Sequence, residues 1–201
     1  MKKHLFLFAI LWISIGLHAQ DNALLEQILQ VNSAIKSFES DLCETVLKSG
    51  ERSERQGKLY FVKPGQFAAM FNDGKYMITN ADRLKMDIGM FHGKFKLRKG
   101  GMMRSLSNIF LYGFQGRCKD LSEENNYALE TKEVDQYQQV IFTNKKRSII
   151  GIGYKQVIYK FEKDSLKLKE IYLVDNRGTI NSYTISNVKY DVTVDQKIFV
   201  F

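Results

Sequence analysis

The chain contains little of the residue chemistry that enzymes and metal sites use. It has three histidines, and two of them, His4 and His18, fall in its first twenty residues. The remaining one, His92, does not form a two- or three-histidine metal site by itself. No serine lies in a nucleophile-elbow sequence, although a nucleophile–histidine–acid arrangement stays open. We therefore predict no metal site and no enzymatic activity, and binding is the better functional class.

Two short motifs add no catalytic signal. The pair Gly151-Ile-Gly153 lacks the third glycine of a dinucleotide-binding loop and precedes a strand-like segment. Glu123 and Glu124 lie beside two asparagines, which favours a solvated polar loop over an acid–base pair.

Cysteine is also scarce, since the chain has only Cys43 and Cys118. In an oxidising compartment they could pair, and the chain-entropy treatment gives about 4 kcal/mol for a disulfide that closes a loop of this length. The alternative is two small buried residues that never meet. The sequence leaves both interpretations open, because it does not give the distance between the two thiols.

The first twenty residues have the pattern of an export signal. Two lysines precede the apolar run Leu5–Gly16, which is shorter than the roughly 20 residues that a membrane span needs. Ala19 offers a small residue for cleavage. We predict a signal peptide over residues 1–19 and a single exported domain over 20–201, with an uncleaved amphipathic anchor as the alternative.

The chain is basic, with a formal net charge of +8 and a pI of about 9.3. This charge admits anionic partners, which include nucleic acid, anionic lipid and acidic protein faces. Export argues against nucleic acid, and no stretch resembles a nucleic-acid-binding module.

The predicted exported domain begins with an amphipathic helix that Asp21 or Asn22 can cap. Its apolar residues recur at spacings of four, three, four and three, which is typical of one buried helical stripe. They are Leu24, Ile28, Val31, Ile35 and Phe38.

About eleven short strands follow the helix, each with polar residues alternating with apolar ones. Turn residues such as Asp73-Gly74 and Asn176-Arg177-Gly178 separate them. The pattern predicts an α+β fold, mainly β, with a curled antiparallel sheet. The predicted strands are Ser40–Lys48, Arg55–Lys63, Gln66–Phe71, Lys75–Asn80, Arg83–Ile88, Phe91–Leu97, Tyr127–Glu133, Gln136–Thr143, Gln156–Glu162, Lys167–Val174 and Thr179–Tyr190.

An apolar helix is predicted between the sixth and seventh strands, bracketed by Gly100-Gly101 and Gly116. This insertion is either a plug that closes the core or a movable lid. Its apolar residues are Met102, Met103, Leu106, Ile109, Phe110 and Phe114.

Methionine is concentrated around this insertion, because all but the initiator lie between residues 70 and 103. Its flexible side chain suits surfaces that accept variable apolar shapes, although ordinary core filling is the alternative.

Three motifs resemble the outer-membrane lipoprotein carrier (LolA) family. The first is Gly57-x-Leu59-Tyr60-Phe61-x-Lys63-Pro64, followed by Phe67. The second is Met77-Ile78-Thr79-Asn80 with Leu84 and Met86, and the third runs from Val174-Asp175-x-x-Gly178 through Tyr183-x-Ile185-x-Asn187-Val188 to Phe199-x-Phe201. Their order and spacing cover most of the predicted exported domain.

The resemblance implies an incomplete antiparallel β-barrel whose open side is covered by helices. Its cavity would hold the acyl chains of lipoproteins during passage across the periplasm. On this basis the cavity residues are Leu59, Phe61, Phe67, Met77 and Met86.

The resemblance also implies a lid and a latch. The lid helix would contain Met102, Met103, Leu106, Ile109 and Phe110. Lys63 stands where the family usually has an arginine that bonds to the lid, and a lysine offers a point charge without the planar fork of arginine.

The implied partners are lipoproteins, an inner-membrane ABC transporter that releases them and an outer-membrane acceptor. The carrier would be a monomer without a cofactor, since ATP is hydrolysed at the transporter. Two alternatives stay open: a carrier or sensor of a glycolipid or other amphiphile on the same fold, and an acyl hydrolase that uses His92.

Overall fold

The computed structural model describes residues 21–88, 91–145 and 153–201. The predicted export signal, Gly151 and Met90 lie outside these residues. In the described part of the chain, no helix combines the length and the apolar character that crossing a membrane requires.

The described residues form eleven strands, at nearly the positions that the alternation predicts, because polar and apolar residues of a strand face opposite sides of a sheet. The strands are β1 (Ser37–Lys48), β2 (Glu51–Val62), β3 (Gln66–Phe71), β4 (Tyr76–Asn80), β5 (Arg83–Ile88), β6 (Phe91–Lys96), β7 (Tyr127–Val134), β8 (Tyr137–Asn144), β9 (Tyr154–Glu162), β10 (Leu168–Asp175) and β11 (Ile180–Tyr190).

All eleven strands belong to one antiparallel sheet with the order β6-β5-β4-β3-β2-β1-β11-β10-β9-β8-β7. Each strand therefore pairs with its neighbour in sequence, except that β1 pairs with β11 and joins two meanders. The strands β6 and β7 are the two edges of the sheet, which is not closed into a barrel. The prediction of an incomplete antiparallel barrel is confirmed.

Three helices accompany the sheet. Helix α1 covers residues 21–34, α2 covers Met102–Gln115 and α3 covers Cys118–Asn125. Both α2 and α3 lie in the connection between the edge strands. Helix α2 ends at Gly116, whose φ of 68° is in the left-handed region that favours glycine.

Two details of the helical prediction are corrected. Helix α1 ends before Ile35, and Phe38 belongs to β1, so the end of the predicted stripe continues the core from outside the helix. Glu123 and Glu124 lie in the last turn of α3 and not in a loop.

One main core lies between the sheet and the helices. It contains Leu25 and Ile28 of α1, Ile109 and Phe110 of α2 and Leu121 of α3, together with the apolar face of the sheet. We call that face of the sheet the inner face.

A smaller core covers part of the outer face of β3 and β4. Ala68 and Ile78 pack there against Val194 and Phe199 of the C-terminal segment. A short 3-10 helix, Gln196–Phe199, carries that segment, and Asn80 Nδ2 donates a hydrogen bond of 3.1 Å to the Phe199 carbonyl oxygen.

Cys43 and Cys118 are both free in the structure. Cys43 lies between Leu42 and the buried Glu44 on β1, so strand alternation places its side chain on the outer face, where Gln56 contacts it at 3.1 Å. Cys118 is buried on the other side of the sheet, at the start of α3. The two thiols therefore lie on opposite sides of the sheet and do not form a disulfide in this structure.

Candidate functional site: an apolar interior under a helical cover

The predicted cavity residues all lie on the inner face of one half of the sheet. Leu59 and Phe61 of β2, Phe67 of β3, Met77 of β4 and Met86 of β5 are each at most 2% exposed and belong to the main core. Antiparallel pairing brings them together, since Phe61 is opposite Phe67 and Met77 is opposite Met86. They form a continuous apolar wall.

Helix α2 packs its aromatic residues on this wall. The ring of Phe110 lies 5.5 Å from the ring of Phe67 and 5.1 Å from that of Tyr183. The ring of Phe114 lies 5.5 Å from that of Phe61 and 5.4 Å from that of Phe38. The helix therefore spans the junction of the two meanders at β1 and β11.

The first half of α2 is less enclosed than the second. Met102 is 40% exposed, and Met103 and Leu106 are only half-buried, whereas Ile109 and Phe110 are buried. The predicted lid residues thus lie on one helix, and they divide into an exposed end and a buried end.

Three polar contacts hold α2 against the strands and the β2–β3 turn, and no pattern in the sequence indicates them. Thr79 of β4 and Ser107 of α2 share a buried hydrogen bond with 3.2 Å between their hydroxyl oxygens. The Tyr159 hydroxyl of β9 donates to the carbonyl oxygen of Ile109. Burial raises the pKa of Tyr159 well above its usual value, which keeps this donor protonated.

The third contact is at the C-terminal end of α2. Gln115 Nε2 donates a hydrogen bond of 2.9 Å to the carbonyl oxygen of Pro64, in the turn between β2 and β3. That turn also carries Lys63, so α2 meets the strand end that the family motif defines.

Lys63 itself contacts α1. Its Nζ donates a hydrogen bond to the carbonyl oxygen of Ser33, which is near the C-terminal end of the helix, where backbone carbonyls lack intrahelical partners and cations are favoured. The same turn therefore binds α1 through Lys63 and α2 through Pro64.

The two covering helices also touch each other directly. An ideal Cβ built on Gly116 would lie 2.5 Å from the carbonyl oxygen of Ile28 in α1. Asn32, also in α1, donates through Nδ2 to the carbonyl oxygens of Ile28 and Leu166, each at 2.8 Å. The side-chain amide thus ties α1 to the connection between β9 and β10.

The interior under α2 is filled by side chains. Leu42, Leu59, Phe110, Phe114 and Tyr183 are among the residues that line a cavity of only about 10 Å³. That space admits about one water-sized sphere, whereas pockets for ligands of drug size measure about 300–1,000 Å³. Entry of an acyl chain would therefore require this interior to open.

An ion pair between a buried carboxylate and a half-buried guanidinium interrupts the apolar inner face of the sheet. The Glu44 side chain of β1 is 1% exposed and accepts a hydrogen bond from Arg55 of β2. The Arg55 guanidinium lies 4.7 Å from the centre of the Phe71 ring. Burial and the nearby Glu44 carboxylate raise the pKa of Tyr183 well above its usual value. Glu44 continues the inward alternation of Leu42, and this signal could have identified it from the sequence.

Features of catalysis are not assembled around the interior. His92 is 76% exposed on the edge strand β6, with its Nδ1 3.4 Å from Asp87. Within residues 21–88, 91–145 and 153–201, no group of three His, Cys, Asp or Glu side chains could hold a metal ion. Glu124 accepts hydrogen bonds from Tyr112 and Asn108 of α2, at 2.6 and 2.8 Å, and so links α3 to α2.

An open antiparallel sheet with an apolar inner face and a helical cover defines a carrier, or binding, fold. The family model of the outer membrane lipoprotein carrier protein LolA matches residues 33–201. The chain belongs to the LolA family, which is periplasmic, and the resemblance seen in the three motifs is confirmed.

Several solved structures are similar to this chain at low sequence identity. An uncharacterised conserved protein from Thermus thermophilus is 7% identical with a TM-score of 0.51, and the match covers 90% of this chain and 94% of that one. A DUF1329 family protein from Desulfovibrio piger is 16% identical with a TM-score of 0.47, and the match covers 89% of this chain and 95% of that one. A LolA superfamily protein from Nitrosomonas europaea is 10% identical with a TM-score of 0.42, and the match covers 88% of this chain and 97% of that one. The comparison with curated proteins found no match.

Proposed function

We propose that this protein is a periplasmic chaperone that carries lipoproteins from the inner to the outer membrane with their acyl chains enclosed between the sheet and α2. The observation that carries the proposal is the apolar wall closed by an apolar helix. The family supports the same class of function. The protein would be exported after cleavage near Ala19 and act as a monomer.

An acyl chain supplies free energy comparable to that of the main apolar contacts of the helix. Burying Ile109, Phe110 and Phe114 contributes about 1.5–3 kcal/mol for each side chain, or about 5–9 kcal/mol together. An acyl chain with about 14 methylene groups gains about 11 kcal/mol on leaving water, at 0.8 kcal/mol per group. One chain can therefore offset the burial of these three side chains, and α2 acts as a lid in this proposal.

Cargo would come from an ABC lipoprotein-releasing transporter in the inner membrane and pass to an outer-membrane acceptor. ATP hydrolysis at the transporter would drive the loading, so the carrier needs no cofactor. Lys63 is proposed as the latch of the empty state, because it binds α1 beside the turn that binds α2.

The latch is tested with Lys63→Leu. A hydrogen bond from a charged group contributes about 1.5–3 kcal/mol, so its loss should accelerate uptake of a fluorescent acyl probe by about tenfold or more. Lys63→Arg should keep the slow uptake, and Lys132→Leu, on the exposed edge strand β7, is the matched control. If Lys63→Leu takes up the probe at the same rate as the control, Lys63 does not act as the latch.

The cavity is tested with Leu59→Asp against Met70→Asp. Leu59 is 2% exposed on the inner face, whereas Met70 is 42% exposed on the neighbouring strand. Only Leu59→Asp should weaken binding of the acyl probe and of a triacylated lipoprotein, as measured by native mass spectrometry. Equal affinities in the two variants, with both folded by circular dichroism, would place the acyl chains elsewhere.

The ion pair of buried Glu44 with half-buried Arg55 favours a second candidate, a carrier or sensor of a glycolipid or another amphiphile on the same fold. Charged groups inside an apolar wall can hydrogen-bond a polar headgroup that enters with its acyl chains. Lipid extraction and mass spectrometry of the protein purified from the periplasm separate the candidates. Recovery of a lipid and no lipoprotein would favour the second.

A further inference from the structure

One hairpin concentrates positive charge on the outer face of the sheet. Arg83 of β5 is directly opposite Lys96 of β6, and Lys85 is directly opposite Lys94. Two more cations follow β6 at once. We call this surface the basic face, and its residues are Arg83, Lys85, Lys94, Lys96, Arg98 and Lys99.

Few acidic groups compensate the basic face. Residues 81–99 contain these six cations and only two acids, Asp82 and Asp87, for a net charge of +4. Asp87 is bound by Lys75 at 3.1 Å and faces His92 at 3.4 Å, and Asp82 is 4.0 Å from Arg83. In the part of the chain that the structure describes, the exposed Lys94 and Lys96 form no ion pair.

Protection of a sheet edge explains only part of this charge. Lysines on an edge strand such as β6 prevent pairing with another sheet. However, Arg83 and Lys85 lie on the neighbouring, interior strand, and Arg98 and Lys99 lie beyond the end of β6. Like charges directly opposite each other also disfavour the pairing of β5 with β6, so an external anionic partner is the better explanation.

Exposed apolar side chains flank the cations at one end of the hairpin. Met102, at the start of α2, is 40% exposed and follows Lys99 after two glycines. Val200 is 73% exposed and lines an open groove with Ala81 and Arg83. Cations beside exposed apolar residues are typical of surfaces that bind the interface of an anionic bilayer.

We propose that the basic face docks this protein reversibly on anionic phospholipid bilayers, with Met102 and Val200 entering the headgroup region. An acidic protein face is the alternative occupant, and the test below distinguishes the two. Docking at this end also places the exposed half of α2 at the membrane. The inference does not depend on lipoprotein carriage.

The test is co-sedimentation with vesicles of phosphatidylcholine, with and without phosphatidylglycerol. A lysine near an anionic surface contributes about 1 kcal/mol, or about fivefold in affinity. Lys94→Gln/Lys96→Gln should therefore lower the affinity for anionic vesicles by about 25-fold. The control Lys132→Gln/Lys155→Gln removes the same charge from exposed lysines of β7 and β9 and should change it little.

The proposal is supported if the protein binds anionic vesicles and this binding weakens with salt and in Lys94→Gln/Lys96→Gln but not in the control variant. Absence of vesicle binding, or equal losses in the two double variants, overturns it, as does binding of an acidic protein but no vesicle. Acyl-probe binding is measured on the same samples. If the protein binds anionic vesicles but does not bind the acyl probe, the proposed carrier function is refuted and the proposed docking surface is supported.

Discussion

Replacing Gly116 with alanine should loosen the contact between the two covering helices. Gly116 has a φ of 68°, and its added Cβ would lie 2.5 Å from the Ile28 carbonyl oxygen of α1. The left-handed backbone costs a non-glycine residue about 1–2 kcal/mol, and overpacking against backbone atoms adds about 1–3 kcal/mol. The closed arrangement should therefore lose about 2–5 kcal/mol.

Gly178→Ala provides the matched control. Gly178 has a φ of 84° but nothing within 4 Å of its Cβ position, so this variant carries the backbone strain without the collision. The two variants should differ by about 1–3 kcal/mol, which is about 5- to 140-fold in the ratio of closed to open protein.

Two measurements separate opening from general destabilisation. Urea unfolding followed by circular dichroism gives the stability of each variant, and the rate of acyl-probe uptake reports how often the cover opens. We expect faster uptake in Gly116→Ala than in Gly178→Ala. Identical uptake rates and identical unfolding midpoints would refute the reasoning, because the helices would then tolerate the added methyl group.

Three further predictions concern the sheet and its contacts with α2. Gly57→Ala should lower the unfolding free energy by about 1–3 kcal/mol, since its Cβ would lie 2.3 Å from the Met70 carbonyl oxygen, and Gly65→Ala, with nothing within 4 Å, should change it little. Tyr159→Phe should cost about 1 kcal/mol in urea unfolding and accelerate probe uptake, because it removes one attachment of α2; unchanged uptake would show that this bond does not restrain the helix. Burial and the Glu124 carboxylate raise the pKa of Tyr112 to about 12, so the unfolded state ionises first and stability should fall between about pH 10 and 12. Tyr112→Phe should lose less stability than the wild type over that range, and an equal loss would contradict this assignment.

Local pattern predicted the strands well, because in most strands residues that face the main core alternate with more exposed residues. The alternation of Leu59 and Phe61 placed them on the inner face, and glycines at both ends delimited α2. These signals act over a few residues, and the family resemblance supplied the incomplete barrel with its helical cover.

The rest of the architecture depends on contacts between distant residues. The pairing of β1 with β11 joins residues such as Leu42 and Ile185 without any turn between them. Helix α3 was missed because it buries only Cys118 and Leu121 and has no apolar stripe. The Lys63 contact with Ser33 and the Tyr159 contact with Ile109 depend on where the helices lie, which periodicity does not determine.

The open edges of the sheet bear on how the molecule can change its volume. In a closed barrel, widening the interior would break ladder hydrogen bonds between strands. Here β6 and β7 are unpaired edges joined by the segment that contains α2. Within the sheet, the two meanders are joined only at the β1–β11 pairing, so the interior of this sheet can widen without breaking a ladder hydrogen bond.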